Sequence, residues 1–318
     1  MAQLQKYFIN FHESIKLRRF DENETLREKR DIIIDRLKAR LAEVTDCKLL
    51  DLFNQGSYEM GTGVIPLDGD YDIDVGLPFD VEIDEYTDPT IVKAWVAETL
   101  DGHTSTPVKM KEPCVTVQYV EKGEPLFHVD LAVYAHNGNP DGSIFLARGK
   151  ANSSSENKRW EISDPQGLTK AVGDRFSDED AKQFRRVIRY LKRWKDFRFD
   201  KEGNSSPVGI GVTMAAYWWF IPHKHLVDPL QGKYNYNDLQ ALRYLTQQML
   251  DNFSGAWHDG EFADRLSAKL PVQPYDDPFM RMTNKQMAAF KEQLNTLSEK
   301  LAWAENEEVD PVEACDEL

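Results

Sequence analysis

Apolar residues along this chain follow two different periods, and the change of period divides it. From Asp21 to about Ala42, Leu26, Ile33, Leu37 and Leu41 fall at helical spacing with charges between them, which predicts a long amphipathic helix. A short strand is expected over Lys48–Phe53, followed by the turn-prone run NQGSYEMGTGVIPLDGD. Tyr71–Phe79 reads as a strand and Pro89–Leu100 as a helix. Cys114–Val120 and Leu126–Tyr134 read as two strands, and the turn Glu121-Lys122-Gly123-Glu124 suggests that they form a hairpin.

After Tyr134 the character changes. HNGNPDGS and ARGKANSSSENKRWEISDPQG are polar connections rich in Gly, Ser and Asn. From Ser177 onward the pattern is helical, over Ser177–Phe197, Pro207–Phe220, Asn237–Asn252, Gly260–Lys269 and Thr283–Ala304. No internal repeat is visible. The fold class expected is α+β: a mixed sheet lobe over residues 1–170 that includes the long N-terminal helix, then a helical lobe over 171–304. Residues 305–318 contain no Lys or Arg and are expected to form a mobile acidic tail outside the core.

At 318 residues the chain can bury one large core or two lobes sharing a cleft. Its hydrophobic fraction of 41% is that of a globular protein. No apolar run is long enough to span a bilayer and the first residues lack the shape of a secretory signal, so a cytoplasmic protein with no membrane partner is expected. Cys47, Cys114 and Cys315 are an odd, widely spaced set and read as free thiols. The net charge of −15 argues against a protein that grips long DNA or RNA, because phosphate contacts dominate that affinity. Small metal-bound nucleotides need only a local positive site.

The chemistry concentrates in YDIDVGLPF and LFHVDLAVY. Strand side chains alternate, so Asp72 and Asp74 share one face while Ile73 and Val75 enter the other. Two carboxylates held this close repel unless a cation sits between them, and Mg²⁺, which takes few protein carboxylates and keeps positions for phosphate oxygens, suits them best. Asp130 interrupts an apolar run where an unpaired aspartate is costly, and His128 shares its face. If the two strands are neighbours, three carboxylates converge and can hold two metal ions. Gly56-Ser57 lies fifteen residues before Asp72, after a strand, where a glycine backbone and a serine hydroxyl can approach a phosphate closely. Taken alone, a D-x-D is weakly informative and a Gly-Ser marks an ordinary turn; together, in this order, they carry more.

The series Q-G-S-Y-E-M-G-T, D-Y-D-I-D-V-G and H-V-D-L resembles the polymerase-β-type nucleotidyltransferase superfamily. The length, N-terminal helix and helical second half are similar to the cGAS/DncV-like nucleotidyltransferases of bacterial anti-phage (CBASS) systems. The resemblance covers Gln55–Asp130 by motif and the helical half by pattern only. It implies a two-lobed enzyme whose helical lobe closes over the active-site cleft. Gly56 and Ser57 would then hold a triphosphate, while Asp72, Asp74 and Asp130 ligate two Mg²⁺ ions, with Mn²⁺ as a substitute. The implied activity is synthesis of cyclic di- or trinucleotide messengers from ATP, GTP or other NTPs. The cysteine/histidine zinc insertion of the animal DNA sensor is absent, so activation by double-stranded DNA is not expected. Some members work beside regulatory proteins, which makes the C-terminal tail a candidate handle for such a partner.

Lys182–Arg198 carries eight basic residues against one acidic one. Phe184, Ile188 and Leu191 make its core stripe, with Arg185, Arg189 and Lys192 beside them. This row can neutralise a triphosphate or simply form a charged surface. The family places a lysine on this helix near the γ-phosphate; Lys192 fits best and Lys195 is the alternative, with Ser206 a further nucleotide contact. His223 and His225 lack partner ligands at useful spacing. Tyr217, Trp218 and Trp219 can stack a base but suit a helical core better. The same aspartates would serve a terminal transferase acting on RNA, a protein or a small molecule. A catalytically dead nucleotide-binding module is the reading that an intact set of aspartates argues against.

Overall fold

The computed structural model describes residues 2–17, 22–121, 124–136, 143–199, 206–306 and 308–317. The hairpin turn at Lys122-Gly123, most of HNGNPDGS, and Ser205 lie outside them, as does the side chain of Leu26. The first lobe is a seven-stranded sheet. Its strands are β1 (Phe53–Gln55), β2 (Tyr71–Phe79), β3 (Lys109–Met110), β4 (Val115–Glu121), β5 (Glu124–Ala135), β6 (Ile144–Arg148) and β7 (Arg159–Ser163). They run in the order β1-β2-β5-β4-β3, with β6 paired to β5 and β7 to β6. The β2–β5 pair is parallel and the other pairs are antiparallel.

Alternation along β2 and β5 sends Ile73, Val75, Leu77 and Phe79, and Val129, Leu131 and Val133, into one core. Helix α2 (Glu22–Arg40) adds Ile33 and Leu37 to it, and the turn that follows adds Leu41. Between β1 and β2 stands the one-turn helix α3 (Gly56–Glu59), and between β2 and β3 stands α4 (Thr90–Thr99), which buries Val92 and Val96 in the same core. The opposite face of the sheet is left to Asp72, Asp74, His128 and Asp130.

The second lobe is built on α5 (Pro165–Asp174), α6 (Asp178–Arg198), α7 (Gly209–Trp219), α8 (Asp238–Asp251) and α9 (Asn284–Ala304). Its core also takes Leu4 and Ile15 from the N-terminal helix α1 (Ala2–Ile15), so α1 packs with the helical lobe although it begins the chain. Asp238 anchors this lobe at zero exposure: Arg186 pairs with it at 2.7 and 2.9 Å, and Tyr190 Oη donates to it at 3.0 Å.

The strand expected over Lys48–Phe53 starts only at Phe53, as β1, after an isolated bridge from Leu49 to Phe79, and two further expectations fail outright. Gly260–Lys269 is not a helix; it supplies β11 (Glu261–Arg265), paired to β10 (Ser254–His258) around Asp259-Gly260. Both turn residues have positive φ, 51° and 81°, which makes an Asp-Gly hairpin turn that outweighs the helical spacing of Phe262, Ala263 and Leu266. A second hairpin, β8 (Lys224–Asp228) with β9 (Lys233–Tyr236), interrupts the helices as well. The other failure is the mobile tail. Pro311–Glu317 folds as helix α10 and buries Ala314 completely against the helical core. Asp310 caps it through the Val312 amide at 2.8 Å, and Lys300 binds Glu317 at 3.0 Å. Acidic composition did not prevent docking because the apolar positions Val309 and Ala314 both face that core.

Candidate active site

The parallel register of β2 on β5 sets Asp74 opposite Asp130 and Asp72 opposite His128. Antiparallel β4 sets Thr116 on the other flank of Asp130, and its hydroxyl donates to Asp130 Oδ1 at 2.5 Å. Lys111, just past β3, brings Nζ to 3.3 Å from the same oxygen. His128 is held between two carboxylates, with Nδ1 at 3.0 Å from Asp70 and Nε2 at 3.3 Å from Asp72. The structure thus brings Asp72, Asp74 and Asp130 to one face and adds Lys111, Thr116, His128 and Asp70 around them.

Burial, and after it the crowding of acids, raises the proton affinity of Asp72 and Asp74. Asp74 is held well above the usual carboxylate range, first by loss of solvent and then by Asp72 and Asp130. Asp72, which keeps 48% of its side chain exposed, is pushed up to about 6. Loss of solvent around it is again the largest cause, opposed by His128 and reinforced by Asp130. Groups in this state gain most from a nearby cation. Among the described residues, Asp72, His128 and Asp130 offer ligand atoms within 4.8 Å of one another, a donor set that fits a divalent ion. Asp74 shares their face but turns toward the Gly-Ser turn.

That turn is built against the carboxylates. Gln55, the last residue of β1, pairs in register with Asp74, and Gly56 follows at φ 71°, a conformation glycine adopts without strain. A side chain there would collide with Asp74. Ser57 is exposed at the start of α3. From behind, α2 grips the segment: Arg30 donates to Asn54 Oδ1 at 2.8 Å and Arg27 to Tyr58 Oη at 3.1 Å.

The basic stripe of α6 does something the sequence did not suggest. It holds backbone. Arg189 donates to the carbonyls of Gly61 and Gly63, at 2.5 and 3.0 Å. Lys192 Nζ donates to the carbonyl and hydroxyl of Thr62 at 3.2 and 3.1 Å, and Arg193 donates to the Ile65 carbonyl. Thr62 in turn donates its amide to the Ser57 carbonyl at 2.9 Å. Lys192 is buried, and its pKa is lowered to about 7, chiefly by burial and then by Lys195 and Arg189. Lys195 donates to Asp196 at 2.7 Å and lies 3.5 Å from the hydroxyl of Ser206.

The weaker candidates take structural places. Tyr217 and Trp219 pack on the helical core, and Trp218 Nε1 donates to the Lys269 carbonyl at 2.8 Å. His223 Nδ1 lies 2.9 Å from the Ile221 carbonyl. The three cysteines are free. Among the described residues no helix is long and apolar enough to cross a membrane. Lys111 and Thr116 carried no motif of their own; the alternation in CVTVQYV was the one signal that placed Thr116 on the site's face.

Residues 51–134 match the family "Cyclic GMP-AMP synthase DncV-like, nucleotidyltransferase domain". Over 95–98% of its length the chain is similar in structure to solved CD-NTases and a cyclic AMP-GMP synthase. The CD-NTase CdnG of Bradyrhizobium diazoefficiens in complex with GTP superposes with a TM-score of 0.71 at 13% identity, over 95% of this chain and 92% of that one. The DncV cyclic AMP-GMP synthase of Vibrio cholerae gives 0.67 at 16%, over 96% and 91%. CdnC of E. coli MS115-1 with ATP gives 0.67 at 18%, over 98% and 95%. At such identities the likeness establishes a shared fold.

Proposed function

We propose, taking as premise that residues 51–134 are a DncV-like nucleotidyltransferase domain, that this enzyme links ribonucleoside triphosphates into a cyclic di- or trinucleotide messenger. The observation that carries the reading is the β2–β5 register. It stands Asp74 beside Asp130, with Asp72 on the same face and the Gly56 backbone against Asp74.

Asp72, Asp74 and Asp130 would hold the divalent ions, Mg²⁺ or in its place Mn²⁺, with His128 Nε2 beside Asp72 at 3.3 Å. Bound there, two ions would neutralise the triphosphate and lower the pKa of the attacking ribose hydroxyl. The chain's own residues supply the positioning. Gly56 lets the triphosphate approach the backbone, and the Ser57 hydroxyl donates to a phosphate oxygen. Thr116 and Lys111 fix the Asp130 carboxylate, so it meets its ligand without reorganising. Lys192 acts from behind the loop, through Thr62, and Lys195 and Ser206 contact the nucleotide. For a cyclic product the linear intermediate must turn and react again in the same cleft; the V. cholerae synthase of the same fold is known with linear pppA(3′,5′)pG.

By the same reading ATP and GTP are the candidate substrates and double-stranded DNA is not an activator. The protein works in the cytoplasm, in anti-phage defence of the CBASS type. The E. coli CdnC structure includes a complex with HORMA-deltaN, and α10, at the surface of the helical lobe, is the candidate contact for a regulatory protein here.

The test is product analysis by chromatography and mass spectrometry after incubation with the four NTPs and Mg²⁺. The expected result is a cyclic oligonucleotide with release of pyrophosphate, lost by about 1000-fold or more in Asp74→Asn and Asp130→Asn. Product that consists only of nucleotides added to RNA, a protein or a small molecule overturns the reading, as does full activity in either variant.

A further inference from the structure

The parallel register that stands Asp74 beside Asp130 also stands His128 beside Asp72. Asp70, just before β2, reaches the same ring from its other side. His128 is thereby flanked by two carboxylates, with Nδ1 3.0 Å from Asp70 Oδ1 and Nε2 3.3 Å from Asp72 Oδ1. The two contacts differ in kind. Nδ1 is hydrogen-bonded to Asp70, and a carboxylate only accepts, so the bond places the ring proton on Nδ1. Among the described residues no hydrogen bond reaches Nε2; Asp72 is close to it without making one.

A neutral ring with its proton on Nδ1 presents a lone pair at Nε2. Facing a carboxylate oxygen at 3.3 Å, that lone pair is repelled unless a cation comes between the two. Asp130 completes the set: one donor atom each from Asp72, His128 and Asp130 lies within 4.8 Å of the others. A metal-bound imidazole almost always gives its other N–H to a carboxylate, carbonyl or water, which fixes its tautomer and the orientation of its ring. Asp70 stands in that place. Other histidines are placed differently: Arg189 donates to His12, His223 lies on the Ile221 carbonyl, and His258 meets the single carboxylate of Asp259. The rival for His128 is a doubly protonated ring bridging Asp70 and Asp72, but that ring would donate from both nitrogens, and only Nδ1 does so.

The geometry points to His128 as a direct ligand of one divalent ion, shared with Asp72 and Asp130 and oriented by Asp70. An imidazole nitrogen among the oxygens favours a first-row transition ion over Mg²⁺, which is a hard cation suited to oxygen donors. The site therefore distinguishes ions that carboxylates alone would treat more nearly alike. Mn²⁺, which carboxylates also suit, is the probe of choice. The inference rests on the reading of Asp72 and Asp130 as metal ligands, and adds to it a nitrogen donor and a preference for the ion.

Electron paramagnetic resonance of the full chain with substoichiometric Mn²⁺, in the absence of nucleotide, tests it. Binding removes the sharp signal of the free ion, and pulsed spectra detect a nitrogen bonded to manganese by its hyperfine coupling. The wild type is expected to show that coupling, and isotopic labelling of histidine nitrogen should alter it. His128→Gln should abolish it and weaken Mn²⁺ about tenfold or more, while Mg²⁺, read by competition, weakens by less. Asp70→Ala, which leaves the ligand in place, should weaken Mn²⁺ about tenfold. Bound Mn²⁺ without nitrogen coupling, or a coupling that survives His128→Gln, overturns the inference; if Asp130→Asn still releases that ion, the carboxylate reading stands without it. No Mn²⁺ bound at about 1 mM overturns the inference and leaves product analysis to judge the reading. A thermal melt accompanies His128→Gln. If it does not fold, Asp130→Asn decides: loss of the nitrogen-coupled ion places the histidine at the carboxylates, and its persistence overturns the inference.

Discussion

A β-carbon on Gly56 would stand 1.9 Å from Oδ2 of Asp74, so the backbone of the Gly-Ser turn and the central carboxylate occupy adjoining space with no room between them. Gly56→Ala should therefore do more than strain a backbone at φ 71°. It should push Asp74 out of line with Asp130. Gly102, at φ 65° with nothing within 4 Å of its added carbon, is the control. Both alanine variants should lose about 1–2 kcal/mol of stability, but only Gly56→Ala should lose nucleotide turnover, by about 100-fold or more. Equal turnover in the two variants would show that the close approach has no role.

His12 gives a pH dependence of stability. Arg189 donates to its Nε2 at 3.0 Å, so the ring must stay neutral to accept. Burial, then Arg189, Lys16 and Arg186, lower its pKa to about 4, against an opposing pull from Glu13. The folded protein therefore binds fewer protons than the unfolded chain between about pH 4 and 6.5. Stability from this group is complete above the unfolded value and is lost as pH falls. The loss between pH 7 and 5 should be about 2 kcal/mol. Chemical denaturation at the two pH values measures it, and His12→Gln, which can still accept from Arg189, should flatten the difference.

Lys93 is fully buried, and its ammonium donates to three carbonyls, Lys111, Glu112 and Gly149, at 2.6, 2.9 and 2.7 Å. It fastens the segment that presents Lys111 to Asp130. Lys93→Met should cost about 3 kcal/mol, since the carbonyls lose their donor in a dry environment. Turnover at a temperature where the variant is still folded should fall as well, because Lys111 is no longer fixed. Unchanged turnover together with a lower melting temperature would confine Lys93 to the fold.

At the C-terminus, Ala314→Asp should place a charge where no solvent reaches and release α10 from the helical lobe. Limited proteolysis should then cut around residues 306–310 at least several-fold faster than in the wild type, at a cost of about 1–2 kcal/mol in stability. Equal cleavage rates would mean that α10 is released in solution without the substitution.

The sheet lobe was legible because strict alternation in YDIDVGLPF and LFHVDLAVY leaves one face for acids and one for the core, and β2 came out with the predicted bounds. The parallel pairing of β2 with β5 was expected only as adjacency, and it is the register that brings Asp74 to Asp130. The hairpin β10–β11 was misread because Phe262, Ala263 and Leu266 also satisfy a helical period, while Asp259-Gly260 held the decisive turn information. Short strands β6 and β7 disappeared into a polar stretch, since five-residue strands flanked by Gly and Ser leave little period to detect. Lys111 was invisible for a different reason. It reaches Asp130 through the β3–β4 turn, which no local pattern encodes.

Because α6 carries the carbonyls of Gly61, Thr62, Gly63 and Ile65 on Arg189, Lys192 and Arg193, the segment after the Gly-Ser helix is covalently part of the sheet lobe but mechanically cargo of the helical one. Met60, buried in the helical core just before it, adds to the load. Any rocking of one lobe against the other is thus transmitted as a tug on the Thr62 amide and, one hydrogen bond further, on Ser57. For any such motion this segment crosses between the two cores twice, in the few bonds between Gly56 and Met60 and in the stretch from Pro66 to Asp70.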